Sequence, residues 1–305
     1  MLFTVLIIPR ILQLIWQRGI TKINIERNSM NSDNKEQEEI WNGRLGEGFL
    51  NAGDYIDRMV APFTKKAIET INPNKKDQIL DVGCGGGSTT ILLASAGAET
   101  KGIDISEKMI SSAKNKSKGI SNISFEISDA ENISLTPIYS KIFSRFGVMF
   151  FSNPIRAFRN IKKGLTPGGS ITFICWQSME KNHWINFATE TLLPFQPQNL
   201  PKADPRSPGG FAFSEKAYIE EILSGANYTN IQIDPLETEF NLGKSVEEIM
   251  FFNENVGPLS GLLQSLDDSD SLKAMKALRD KVKTLMNDEN LFLSAAAWLV
   301  TAKVE

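Results

Sequence analysis

A short apolar strand, Gln78-Ile79-Leu80-Asp81-Val82, runs straight into Gly83-Cys84-Gly85-Gly86-Gly87 and on into Ser88-Thr89-Thr90. Glycines packed this densely behind a strand let bare backbone approach a ligand while the chain turns at once into a helix. The sequence that follows keeps the matching rhythm. Strand candidates are Gln78 to Val82, Glu99 to Asp104, Ile123 to Ser128, Lys141 to Val148 and Ser170 to Trp176. Helix candidates between them are Ser88 to Ala96, Ser106 to Lys118 and Asn153 to Leu165, the last with Asn153 as N-cap and Pro154 at the first helical position. Strands separated by helices of this length predict a parallel sheet covered on both faces, with ligands held beyond the carboxyl ends of its strands.

On either side of this alternation the pattern changes. Residues 29–37 read as a polar linker and 38–71 as helical, ended by Asn72-Pro73-Asn74. After Trp176, residues 179–212 are rich in proline and polar groups and read as a long excursion. A helix (Ser214 to Ser224), a strand (Asn230 to Phe240), a helical insert (245–289) and a last strand (Ala295 to Val304) follow. In the insert Leu272, Met275, Leu278, Val282 and Leu285 make an apolar stripe at helical spacing. The organisation expected is an apolar N-terminal extension (1–29), a helical cap (30–75), a ligand-binding core (76–178) and a remainder (179–305) carrying two inserts. Pro9 and Arg10 break the apolar extension well short of the ~18 residues a membrane span needs. It reads as a segment upstream of a start at Met30, as a membrane-surface or partner-docking helix, or as a packed helix of the fold.

Composition excludes several classes. Lys plus Arg total 33 against 36 Asp plus Glu, a net charge of -3, with no basic stripe, so nucleic acid is not an expected partner. Two cysteines and one histidine leave no disulfide framework and no metal site of ordinary ligand spacing, and a cytoplasmic setting is expected. Nothing in the chain fixes an oligomeric state.

The ligand of the glycine turn can be narrowed further. A dinucleotide fingerprint needs a third glycine where Ser88 stands, and no Lys-Ser/Thr pair follows to make a phosphate-binding loop. Asp81, just before the turn, would repel a pyrophosphate but suits an ammonium group, directly or through water. Asp104 ends the next strand, where a carboxylate can accept both hydroxyls of a ribose. Asp129 and Ala130 end the strand after that and suit the edge of an adenine. Amine, ribose and adenine laid across three strand ends describe S-adenosylmethionine. The competing readings are Asp81 as a turn support, Asp104 as a solvated acid and Asp129 as a helix cap. Cys84 reads as a small turn residue, since nothing near it in sequence lowers a thiol pKa.

The segments ILDVGCGGGSTTILLA, GIDISEKMISSAK, SDAENISL, and FSRFGVMFF followed by LTPGGSITFICW resemble the class I S-adenosylmethionine-dependent methyltransferases. They are most similar to the small-molecule branch that includes the quinone-biosynthesis C-methyltransferases. The resemblance covers about residues 76–178. It implies a Rossmann-like, seven-stranded, mostly parallel sheet with helices on both faces, whose final antiparallel strand is inserted between its neighbours, plus helical cap and insert elements. It further implies that Gly83, Gly85 and Gly87, with Cys84 among them, approach the methionine part of the cofactor and that Asp81 supports its amino group. Asp104 then holds the ribose, Ile105 and Met109 bed the adenine, and Asp129 with Ala130 meets its edge. Arg145 and Phe146 stand at the methyl-transfer region. There Arg145-Phe146-Gly147 replaces the N/D-P-P-Y tetrapeptide of the amino-methyltransferases of DNA and glutamine.

Methyl transfer mainly requires that acceptor and methyl be held together, so no conspicuous catalytic set is needed. The acceptor expected is a small organic molecule, fairly apolar in view of the aromatic content of the inserts. His183, the sole histidine, is the base candidate. Trp176 and Trp184 are candidate walls of the acceptor pocket, and Trp41 and Tyr55 belong to helices that would fold over the cofactor. Two rivals stay open at this point. One is a nicotinamide-dependent oxidoreductase, against which Ser88 and Asp81 argue, and the other a non-catalytic S-adenosylmethionine-binding protein.

Overall fold

A computed structural model describes residues 33–197, 204–286 and 290–305. The N-terminal extension and its three readings lie outside these residues, as do 198–203 and 287–289 of the two inserts. The described residues begin with four helices, α1 (Asp33–Asn42), α2 (Arg44–Asn51), α3 (Gly53–Met59) and α4 (Ala61–Ile71). The β/α alternation follows as β1 (Gln78–Val82), α5 (Ser88–Ser95), β2 (Glu99–Asp104), α6 (Glu107–Lys116), β3 (Ile123–Ile127), β4 (Tyr139–Arg145), α7 (Pro154–Lys162) and β5 (Leu165–Trp176). Then come α8 (His183–Leu192), α9 (Lys216–Gly225), β6 (Thr229–Asn241), α10 (Val246–Asn255), α11 (Pro258–Leu262), α12 (Asp268–Leu285) and β7 (Phe292–Lys303).

The seven strands lie in the order β3-β2-β1-β4-β5-β7-β6. Every pair from β3 to β5 is parallel, and β7 runs antiparallel between β5 and β6, as the resemblance implied. The order reverses where β1 meets β4, which puts the crevice expected of an open parallel sheet at that point. Fully buried Ile79, Leu80, Ile142, Phe143, Ile171 and Phe173 hold the sheet between its helix layers. Local signals set the helix starts: the Asn153 side chain accepts from the Arg156 N–H at 3.0 Å and Ser106 from the Met109 N–H at 3.3 Å.

The structure departs from the sequence reading in four places. Residues 33–37 are the first turn of α1 and not linker. β4 stops at Arg145 because Phe146 takes φ +59°, a left-handed conformation that no strand continues. The proline-rich excursion hides α8, whose Trp184, Ile185, Phe187, Ala188 and Leu192 are all buried. In α12 the buried positions are Ala274, Leu278 and Val282, while Leu272 is 68% exposed, so the inward stripe is rotated from the one expected. The insert folds back onto the cap. A Cβ at Gly48 of α2 would stand 2.1 Å from the Asn255 carbonyl oxygen of α10, an approach that only glycine permits. Among the described residues no helix is long and apolar enough to cross a membrane.

Candidate active site

One cavity of about 250 Å³ lies over the carboxyl ends of the central strands. The sheet supplies one wall: Gly83 to Gly86 after β1, Asp104 and Ile105 after β2, Asp129 and Ala130 after β3, Arg145 to Gly147 after β4, and Trp176 ending β5. The cap and the inserts supply the other, through Asn34, Gln37, Trp41 and Phe49, then Asp57, and finally Trp184, Phe211 and Phe252.

The glycine turn works by close approach. Gly83 has φ +65°, and a Cβ there would stand 3.0 Å from the Gly147 Cα, so the ends of β1 and β4 touch through backbone. Gly85 faces open space, with nothing within 4 Å of where a Cβ would be. Gly87 does something else. It lies outside the cavity wall, and a Cβ on it would meet Ala113 and Phe125 at 2.9 Å, so its role is helix-to-strand packing and not approach to a ligand. Cys84 borders the cavity, but its thiol packs with Ile110, Ala113 and Phe125, and burial pushes its pKa up. It is a turn residue with an inert thiol.

The three strand-end acids are not equivalent. Asp104 is half-buried at the cavity edge and accepts the N–H groups of Gly85 (from Oδ2) and Ser106 (from Oδ1), each at 2.9 Å. Burial pushes its pKa up and these backbone donors oppose the shift. A carboxylate has about four lone-pair sites, so its acceptor capacity is half used. Asp129 also faces the cavity, yet it accepts from the Glu131 N–H at 2.9 Å, the Asn34 amide at 2.5 Å and the Asn132 amide. No helix follows Asp129, so the helix-cap reading fails: its carboxylate holds a turn at the rim through the Glu131 N–H. Asp81 is fully buried beneath the turn and outside the wall, which does not fit the direct contact with an ammonium group, one of the two arrangements expected of it. Its Oδ2 accepts the hydroxyls of Thr89 and Thr90 at 2.7 Å each, tying the start of α5 to β1, while Oδ1 has no partner. Burial raises its pKa to about 6 against the pull of those hydroxyls and of Arg145.

Ile105 and the buried Met109 lie beside Asp104, and Ala130 is buried next to Asp129. Arg145 donates to Asp57 at 2.6 Å and to Thr64 at 3.0 Å, joining the end of β4 to the cap. Phe146 stacks on Trp176 with ring centroids 4.0 Å apart and planes at 11°, which with its N–H bond to the Ile174 carbonyl holds the left-handed backbone in place. Trp41 meets Phe49 and Phe150 edge-on, and Trp184 packs against Trp176 with centroids 5.0 Å apart.

Besides Gly87 and Asp81, two further expected site residues lie outside the wall. Tyr55 is buried behind the wall, donating its hydroxyl to the Leu242 carbonyl and stacking on Phe252, so it braces the cap against the insert. His183 is exposed at the first turn of α8, its Nδ1 3.0 Å from the Ser294 hydroxyl, and does not line the cavity. The sequence reading missed Asn34, Gln37 and Trp41 as a set, although their i, i+3, i+7 spacing puts them on one face of α1. It also missed Asp57, for which no local motif exists. Among the described residues no group of three or more His, Cys, Asp or Glu could hold a metal ion.

A family model described as a methyltransferase domain matches residues 73–194. The ubiquinone biosynthesis O-methyltransferase of Coxiella burnetii (strain Dugway 5J108-111) is 28% identical over 204 residues, covering 62% of this chain and 81% of that protein. The phosphoethanolamine N-methyltransferase of Plasmodium falciparum is 29% identical over 140 residues, 45% of this chain and 53% of that one, so this chain matches about half its length. A solved structure from Bacillus halodurans C-125 is 14% identical with a TM-score of 0.50, covering 79% of this chain and 97% of the other; that likeness is one of fold. None of these similarities supports a nicotinamide oxidoreductase. With the inserted antiparallel strand and the glycine turn facing Gly147 already in view, these similarities support a class I S-adenosylmethionine-dependent methyltransferase.

Proposed function

We propose that the chain methylates a small, fairly apolar molecule, with the cofactor along the sheet wall of the cavity and the acceptor against the aromatic wall. The observation that carries this is the division of one cavity into a polar rim and an aromatic face. Along the rim, the bare backbone of Gly83 to Gly85 leaves room for the methionine part, and the unused acceptor sites of Asp104 suit ribose hydroxyls. Ile105 and Met109 offer an apolar bed to the adenine, with Asp129 and Ala130 at its edge. Asp81 acts indirectly, fixing the N-terminus of α5 through two threonine hydroxyls.

The cofactor supplies an electrophilic methyl group on a sulfonium. The work left to the protein is to hold a nucleophile in line with that methyl and to exclude water, and positioning of this kind lowers a barrier by up to ~7–11 kcal/mol. Trp41, Phe150, Trp176, Trp184 and Phe252 can do both for an apolar acceptor. In this reading residues 30–75 are the cap, 76–178 the cofactor core, and the inserts 179–212 and 245–289 set acceptor choice, because each sends helices to the aromatic wall. Asp104→Ala tests the rim: S-adenosylhomocysteine, followed calorimetrically, should bind more than about tenfold more weakly. A loss below about threefold would remove the ribose role from Asp104. Metabolite profiling of extracts incubated with the enzyme and the cofactor should show one small, apolar compound gaining a methyl group.

A further inference from the structure

We propose that Asp57, on the cap helix α3, and Arg145, at the end of β4, form a clamp for the aminocarboxylate end of the cofactor. Asp57 takes the ammonium and Arg145 the carboxylate. The proposal rests on the cofactor reading given above and assigns Asp57 a role that no sequence motif announces.

Four observations support it. First, both side chains line the cavity, and they are bonded to each other, Arg145 Nη2 to Asp57 Oδ1 at 2.6 Å, with side chains only 16% and 30% exposed. Second, the pair sits at the glycine turn. Ser88, the first residue of α5, donates its hydroxyl to Asp57 Oδ2 at 2.5 Å, and two residues beyond Arg145 the backbone of Gly147 touches Gly83. A methionine part lying along Gly83 to Gly85, as in the reading above, would end beside this pair. Third, neither partner is saturated. Arg145 spends one N–H on Asp57 and one on Thr64 out of five, and Asp57 uses one acceptor site on each oxygen. An ammonium has only donors and a carboxylate only acceptors, so an aminocarboxylate matches what the two residues have left. Fourth, the pair joins cap to core. A tail bound across it is held from both walls at once, and the ion pair between the residues becomes a ring of four alternating charges without any net charge being buried.

The test compares two ligands that differ only at the tail. S-adenosylhomocysteine carries the aminocarboxylate, and 5′-methylthioadenosine lacks it while keeping adenine, ribose and sulfur. Calorimetric binding is measured for the unaltered chain, Asp57→Asn and Arg145→Gln. Each substitution should weaken S-adenosylhomocysteine about tenfold or more, the usual size for a lost hydrogen bond to a charged group, and change 5′-methylthioadenosine less than about twofold. Arg145→Lys keeps the charge and the link to the cap but loses the planar fork, and should fall between, at about three- to tenfold for S-adenosylhomocysteine alone. This variant covers the case in which Arg145→Gln fails to fold. Equal weakening of both ligands would make the pair a structural latch and overturn the clamp, and so would no weakening of either. If the unaltered chain bound neither ligand, the cofactor reading itself would fall and the clamp with it; binding of both with no tail-specific loss would sink the clamp alone.

Discussion

The two walls of the cavity are built by different physics. The sheet wall comes from strand ends that follow one another in sequence, each set in place by backbone pairing, so Asp104 and the glycine turn stand side by side because β1 and β2 do. The aromatic wall draws on α1, α2, α8 and α10, and what aligns it is ring packing between residues far apart in the chain, such as Trp41 on Phe150 and, from behind the wall, Tyr55 on Phe252. A wall fixed by backbone register keeps its shape when one side chain changes. A wall made of packed rings changes shape with almost any substitution, which suits a surface that sets acceptor choice.

The largest effect that would sharpen this contrast lies beneath the sheet wall. Asp81 has a folded pKa of about 6 against an ordinary 3.8, because burial penalises its charge. The neutral form is the one the fold prefers, so its contribution to stability is full below pH 3.8 and is lost as pH rises through 6. Asp81→Asn keeps the shape without the charge. Relative to that variant, the wild type should lose up to about 3 kcal/mol between pH 4 and pH 8, read from urea unfolding of both proteins. A gap between the two proteins that did not change with pH would mean that Asp81 has the same pKa in the fold as in the unfolded chain. The threonine hydroxyls and Arg145 would then offset the cost of burial in full.

Next in size is Trp41→Ala, which probes the ring-packed wall. Trp41 makes two edge-on contacts, with centroids 5.2 Å from Phe49 and 4.9 Å from Phe150. Aromatic pairs of this kind are worth about 0.5–1.5 kcal/mol each, so S-adenosylhomocysteine binding should weaken about three- to tenfold if α1 closes over the cofactor. Unchanged affinity would confine the cap to acceptor binding or to packing, and the two walls would then serve two ligands with no overlap.

The contrast also explains what could be read in advance. The strands β1 and β2, the helix starts at Ser106 and Asn153 and the position of Asp104 at a strand end were legible because each depends on residues within a few positions of one another; the antiparallel direction of the last strand was implied only by the family resemblance. The role of Gly87 was misassigned because its constraint comes from Ala113 and Phe125, which no spacing near the turn reveals. Asp81 stood out in the sequence, but its burial under α5 depends on Thr89 and Thr90 folding back over it. Asp57 could not be found at all. An isolated acid on a short helix acquires meaning only when β4 delivers Arg145 to it. Helix α8 was lost because the proline-rich stretch around it outweighed ten residues of amphipathic pattern.

The smallest effect expected is that of His183→Ala, and its smallness is the point. As the sole histidine, His183 was the natural base candidate, and its neighbour Trp184 does line the cavity. Consecutive residues on a helix point about 100° apart, however, so the turn of α8 that sends Trp184 inward sends His183 outward. There it is exposed and bonded to Ser294 of β7. Replacing it should change kcat/KM less than about twofold at any pH from 6 to 8, since a general base contributes about 10²–10⁴-fold only where it can reach the proton. A loss beyond about tenfold, with the melting temperature unchanged, would require α8 to rotate or unwind when the acceptor binds. In that case the aromatic wall would be a moving part, and the acceptor would help to build the surface that recognises it.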